Sequence, residues 1–105
     1  MKKLIYRRPR YRIDVPVTLR QARQQSLVGR CTDISSEGVG VCILEELPIG
    51  ETLTIEFALG SSAVHANARV EYRYDHRCYG LKFLFLSSQE RDSVARAVNT
   101  IQRIM

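Results

Sequence analysis

A chain of 105 residues has room for one domain around one hydrophobic core. Its 45% apolar and 26% charged residues are those of an ordinary globular protein, which excludes disordered and fibrous classes, and no window nears the roughly 18 consecutive apolar residues of a membrane span. The net charge of +5 is unevenly placed: six of the 16 cations (Lys2, Lys3, Arg7, Arg8, Arg10, Arg12) precede the first acid, Asp14, leaving 10 against 11 acids in the remainder.

Residues 1–12 therefore read as a flexible cationic arm suited to a phosphate-bearing partner. The basic start is followed by no apolar h-region, so no secretory signal is expected. Arginine supplies 13 of the 16 cations, and its planar fork favours bidentate recognition and stacking on bases. Pro9 biases Arg8 toward extended backbone, which turns Arg8, Arg10 and Arg12 to one side.

Period-2 alternation follows over residues 13–86. Ile13, Val15, Val17 and Leu19 share one face of a first strand, and Pro16 predicts an edge or an irregular start. After a polar connection (Gln21–Ser26), Leu27–Ile34 and Val39–Leu44 read as strands joined by the turn Ser35-Ser36-Glu37-Gly38. Leu47-Pro48-Ile49-Gly50 interrupts the pattern. Leu53, Ile55, Phe57 and Leu59 line a fourth strand, and Gly60-Ser61-Ser62 turns the chain. The longest strand alternates Val64, Ala66, Ala68, Val70, Tyr72 and Tyr74 with polar residues. This assigns both tyrosines to the apolar face, with Tyr74 near enough to the hairpin to shield a ligand. Asp75-His76-Arg77 leads into a sixth strand, Cys78–Leu86. Six strands without intervening helices point to an antiparallel barrel or sandwich. Ser87-Ser88-Gln89-Glu90 then fits a capping box, and Val94, Ala97, Val98, Ile101 and Met105 recur as the stripe of a helix reaching about Ile104.

Cys31, Cys42 and Cys78 are odd in number and lack C-x-x-C spacing, so the expectation is a reduced chain in the cytoplasm. His65 and His76 complete no ligand spacing, so no metal is expected. With no nucleophile–base pair and no phosphate-cradling glycine loop, the chain does not read as an enzyme.

Two elements carry chemistry. Arg8-Pro9-Arg10-Tyr11-Arg12 is an R-x-x-x-R element inside the arm. Asp33-Ile34-Ser35-Ser36-Glu37-Gly38 is a D-x-S-x-x-G element: Asp33 and Ser35 project to one face, Ile34 turns to the core, and Gly38 permits positive φ and close approach to the backbone. Guanine presents N7 and O6 to an arginine fork, and its opposite edge offers N–H donors to a carboxylate, a pure acceptor.

In these two elements the chain resembles the PilZ domains, bacterial receptors for cyclic di-GMP. Their R-x-x-x-R arm corresponds to Arg8 and Arg12, about twenty residues before a [D/N]-x-S-x-x-G turn that corresponds to Asp33, Ser35 and Gly38. The likeness continues through Gly38-Val39-Gly40-Val41, Gly80-Leu81-Lys82-Phe83 and the terminal helix. It implies a six-stranded antiparallel β-barrel over residues 13–105, with the arm folding over the nucleotide. It also implies that Arg8 and Arg12 grip guanine and phosphate while Asp33 and Ser35 read the guanine edge. Arg7, just before the motif, resembles the type that binds a stacked pair of nucleotides. The implied partners are cyclic di-GMP and an unidentified downstream protein; no cofactor, membrane insertion or nucleic acid is expected. Two other readings compete: a small basic barrel binding single-stranded nucleic acid, with little base preference and steep salt dependence, and a PilZ-fold adaptor that binds no nucleotide.

Overall fold

The computed structural model describes residues 10–22 and 26–104, with side chains through Ile101. Six strands form a sheet: β1 (Tyr11–Arg20), β2 (Ser26–Ile34), β3 (Gly38–Cys42), β4 (Thr52–Leu59), β5 (Ser62–Asp75) and β6 (Cys78–Phe83). They pair antiparallel in the order β1-β2-β3-β6-β5-β4 and close into a barrel through β1 and β4. Closure is what a short all-β chain needs, because it leaves no unpaired edge to solvent. The barrel branch of the architecture expected from the alternation is the one realised.

The alternation fills the interior. Val17, Leu19, Leu53, Ile55, Val64, Ala66, Ala68, Val70, Leu81 and Phe83 are all buried, so the core lies within the barrel and continues under α1 (Ser88–Ile104). Val94, Ala97, Val98 and Ile101 form the buried stripe of that helix, which packs on β5 and β4. Met105 lies outside the described residues. Ser87 Oγ accepts from the Glu90 amide at 3.2 Å, half of the predicted capping box. The Glu90 carboxylate does not complete it at the Ser87 amide. It accepts instead from the backbone and side chain of Asn67 on β5 and from the Leu86 amide, so it staples the helix start to the barrel.

Several boundaries move for identifiable reasons. β1 starts at Tyr11, because Tyr11 and Arg12 already pair with Ile34 and Asp33; Arg12 thus belongs to the barrel and not only to the arm. Pro16 lies where β1 pairs with β2 alone, since β4 joins only from Thr18 to Arg20, which agrees with the irregular position expected of it. β3 ends at Cys42, after which the Ile43 amide donates to Arg77. β6 ends at Phe83 and not at Leu86; the Leu84 amide still donates to Asn67, and Phe85 stacks on Phe83 at 5.2 Å.

The cysteine count misleads. The register places Cys42 opposite Cys78 and the two form a disulfide, so an odd number conceals one bridge and one thiol, against the reduced set expected from sequence. Cys31 is the free thiol; burial, with the Asp33 charge nearby, pushes it up to about 12.

Candidate functional site

The turn between β2 and β3 is built by Ser35. Its side chain is buried, with Oγ accepting from the Glu37 amide at 3.1 Å and the Gly38 amide at 3.2 Å, while its own amide donates to the Gly38 carbonyl at 2.9 Å. The hydroxyl thus satisfies turn amides that would otherwise be buried without partners, and does not stand beside Asp33 on the outer face. Gly38 also differs from expectation. Positive φ among the described glycines belongs to Gly50 and Gly60; at Gly38 the constraint is space, because a Cβ there would lie 2.3 Å from the Leu81 carbonyl oxygen of β6.

Asp33 reaches the outer surface through an irregularity. Cys31 and Ile34 are both buried although three residues apart, and the β2–β3 register shifts between Cys31 and Asp33. The shift re-aims the strand and leaves the Asp33 carboxylate partly exposed at 29%. Arg12 is its cross-strand neighbour, exposed and without an ion-pair partner among the described residues. Arg10 is the residue that holds Asp33: its Nη1 donates to Oδ1. The other oxygen, Oδ2, lies over Gly40, 2.6 Å from where a Cβ would sit.

Register extends this into a row around the barrel. Arg12 pairs with Asp33, Asp33 with Gly40, Gly40 with Gly80, and Gly80 with Tyr72. At strand spacings of about 4.8 Å, the strands bearing Asp33 and Tyr72 stand roughly 14 Å apart around the sheet. Two glycines form the floor between them. Neither tyrosine takes the inward position expected from alternation: Tyr72 is 49% and Tyr74 50% exposed, because the β5–β6 register shifts between Val70 and Tyr72 and again between Arg73 and Asp75. One step along, exposed Lys82 pairs with Gly38 on one side and Arg69 on the other.

Arg12, Asp33 and the turn of Ser35 and Gly38 thus come together at one place; Arg7 and Arg8 lie outside the described residues. Sequence reasoning missed Arg10 as the partner of Asp33 and the glycine floor, although the pairing of Gly40 with Gly80 is a register fact that no single strand reveals.

A PilZ domain family model matches residues 6–100. The chain belongs to the PilZ domain family. The PilZ domain of CeSA from a cellulose-synthesizing bacterium is similar to it at 21% identity and a TM-score of 0.75, over 90% of this chain and 98% of that one. The PilZ domain of Escherichia coli YcgR with c-di-GMP is similar at 19% identity and a TM-score of 0.75, over 93% and 92%. The Bacillus subtilis inhibitor of motility, MotI/DgrA, is similar at 16% identity and a TM-score of 0.72, over 96% of this chain but 54% of that one. The comparison with curated proteins found no match. Among the described residues of this PilZ domain, no helix is long and apolar enough to cross a membrane.

Proposed function

We propose that this PilZ domain is a receptor for cyclic di-GMP, with the arginine arm and the Asp33 corner closing on the nucleotide from two sides. The observation that carries the reading is the Arg10–Asp33 contact: the end of the arm reaches the acidic corner. A guanidinium N–H donating to the carboxylate occupies the position a donor of the guanine edge would take, and guanine N–H groups would replace it there. Arg12 stands beside Asp33 with its fork unpaired among the described residues, suited to guanine N7 and O6 or to phosphate. The family resemblance gives Arg8 the same task as Arg12, a grip on guanine and phosphate, and Arg7, just before the motif, the binding of a stacked pair. Ser35 acts by holding the turn that aims Asp33, and Gly38 by letting β3 approach β6. Family membership and the c-di-GMP named with the YcgR domain support the ligand. The signal is the altered surface once the arm has closed, read by a downstream protein.

Isothermal titration of the full chain with cyclic di-GMP tests this. Arg8→Ala, Arg12→Ala and Asp33→Ala should each weaken binding by roughly 5- to 150-fold, the loss of about 1–3 kcal/mol per bidentate contact, and the stoichiometry should be two nucleotides per chain. Folded protein that takes up no ligand at high micromolar concentration refutes the reading. One observation favours the competing oligonucleotide reading: two half-exposed tyrosines on the outside of the barrel. Under that reading, a single-stranded oligonucleotide would displace cyclic di-GMP with a steep salt dependence.

A further inference from the structure

Two tyrosines lie on the outside of a barrel whose alternation would have buried them. Large aromatics contribute most to stability when removed from water, yet Tyr72 and Tyr74 are half exposed, with ring centroids 6.0 Å apart and planes inclined by 52°. They lie across the two glycines of the floor. A Cβ on Gly80 would stand 2.3 Å from Cζ of Tyr72, and a Cβ on Gly40 would stand 3.0 Å from the Tyr74 hydroxyl and 2.6 Å from Asp33 Oδ2. Neither glycine has positive φ, so backbone freedom does not account for them. What they provide is clearance: the Tyr72 ring rests on Gly80, and the Tyr74 hydroxyl converges with the Asp33 carboxylate over Gly40.

We infer that Tyr72 and Tyr74 form a third wall of the nucleotide site, separate from the arm and the turn, on which a guanine base stacks while Asp33 accepts from its edge. The inference rests on the cyclic di-GMP reading and deepens it. A tyrosine ring presents a flat π-face that every base can cover, and the Tyr74 hydroxyl sits where it can donate to or accept from the same base. Charged groups nearby are compatible with this, because Arg73 turns away: its guanidinium donates to the His76 carbonyl and lies over the Tyr79 ring. Among the described residues no guanidinium lies over either tyrosine ring, and stacking falls to the tyrosines.

The experiment is a titration of wild type, Tyr72→Ala, Tyr72→Leu, Tyr74→Ala and Tyr74→Phe with cyclic di-GMP, read by calorimetry and by intrinsic fluorescence. The chain has five tyrosines and no tryptophan, so stacking of guanine on this pair quenches a large share of the emission. Tyr72→Ala and Tyr74→Ala should each weaken binding roughly 5- to 150-fold and reduce the quench. Tyr74→Phe keeps the π-face and should stay within a few-fold of wild type with the quench retained. Tyr72→Leu covers Gly80 without a π-face, so it keeps the melting temperature while binding more weakly; a merely structural tyrosine would bind as wild type in that form. Wild-type affinity and quench in Tyr72→Leu and Tyr74→Ala, with wild type itself binding, overturn the inference alone. Failure of wild type to bind cyclic di-GMP overturns the receptor reading, and this inference with it.

Discussion

Gly38→Ala separates two accounts of the turn glycine. If Gly38 serves ligand approach, alanine leaves the fold intact and removes binding. If it serves the approach of β3 to β6, the fold itself is weakened. A Cβ would lie 2.3 Å from the Leu81 carbonyl oxygen, about 1 Å inside the roughly 3.3 Å at which carbon and a carbonyl oxygen meet. The obstacle is backbone and cannot rotate aside. Gly38 is also paired with Lys82, and its carbonyl accepts from the Ser35 amide at 2.9 Å, so the adjustment must open the turn or part the strands. Overpacking of this kind costs roughly 1–3 kcal/mol, offset by about 0.4–1 kcal/mol from the stiffer unfolded chain. The net of roughly 1–2 kcal/mol lowers the melting temperature by about 5–15 °C in a domain of this size. Thermal unfolding followed by circular dichroism measures it, with exposed Ser36→Ala as the control expected to melt within about 2 °C of wild type. A wild-type melting temperature for Gly38→Ala, accompanied by lost cyclic di-GMP binding, refutes the packing account.

Arg10→Ala releases Asp33 from a pair with side chains 44% and 29% exposed; such a pair is worth about 0.2–1 kcal/mol, so cyclic di-GMP should bind unchanged to about 5-fold tighter, and a tenfold weakening by calorimetry would make Arg10 a ligand contact instead. Thiol titration of protein purified without reductant should find none accessible in the native state, one (Cys31) after denaturation and three after reduction, with reduction lowering the melting temperature because the bridge closes a 36-residue separation worth up to about 4 kcal/mol by chain entropy; three thiols before reduction would contradict the bridge. Glu90 is held below its ordinary 4.5: burial works against the charge, but hydrogen bonds from Asn67 and Leu86 outweigh it. A depressed carboxyl stabilises the fold above its unfolded value and loses that contribution as pH falls through the folded one, so melting temperature should fall as the pH is taken below the ordinary 4.5 in wild type and less steeply in Glu90→Gln; parallel curves would refute the staple.

Alternation of apolar residues every second position was enough to locate six strands, and the change to helical spacing after Ser87 was enough to end the sheet, because each pattern is local and each has one way to hide its apolar face. The place of the acidic turn after the second strand was legible for the same reason, and the two motifs already pointed to the family. What tertiary structure decided are relations between strands. Register put Cys42 opposite Cys78, set Gly40 against Gly80, and brought Arg10 to Asp33 across 23 residues. Shifts of register moved Asp33 outward and carried Tyr72 and Tyr74 from the expected core face to the surface. Period-2 reasoning cannot see such shifts, since one inserted residue reverses every side chain beyond it. Ser35 and Gly38 show the same limit on a smaller scale: their types marked a turn, but only the neighbouring backbone decided that the hydroxyl would cap amides and that the missing Cβ would make room for Leu81.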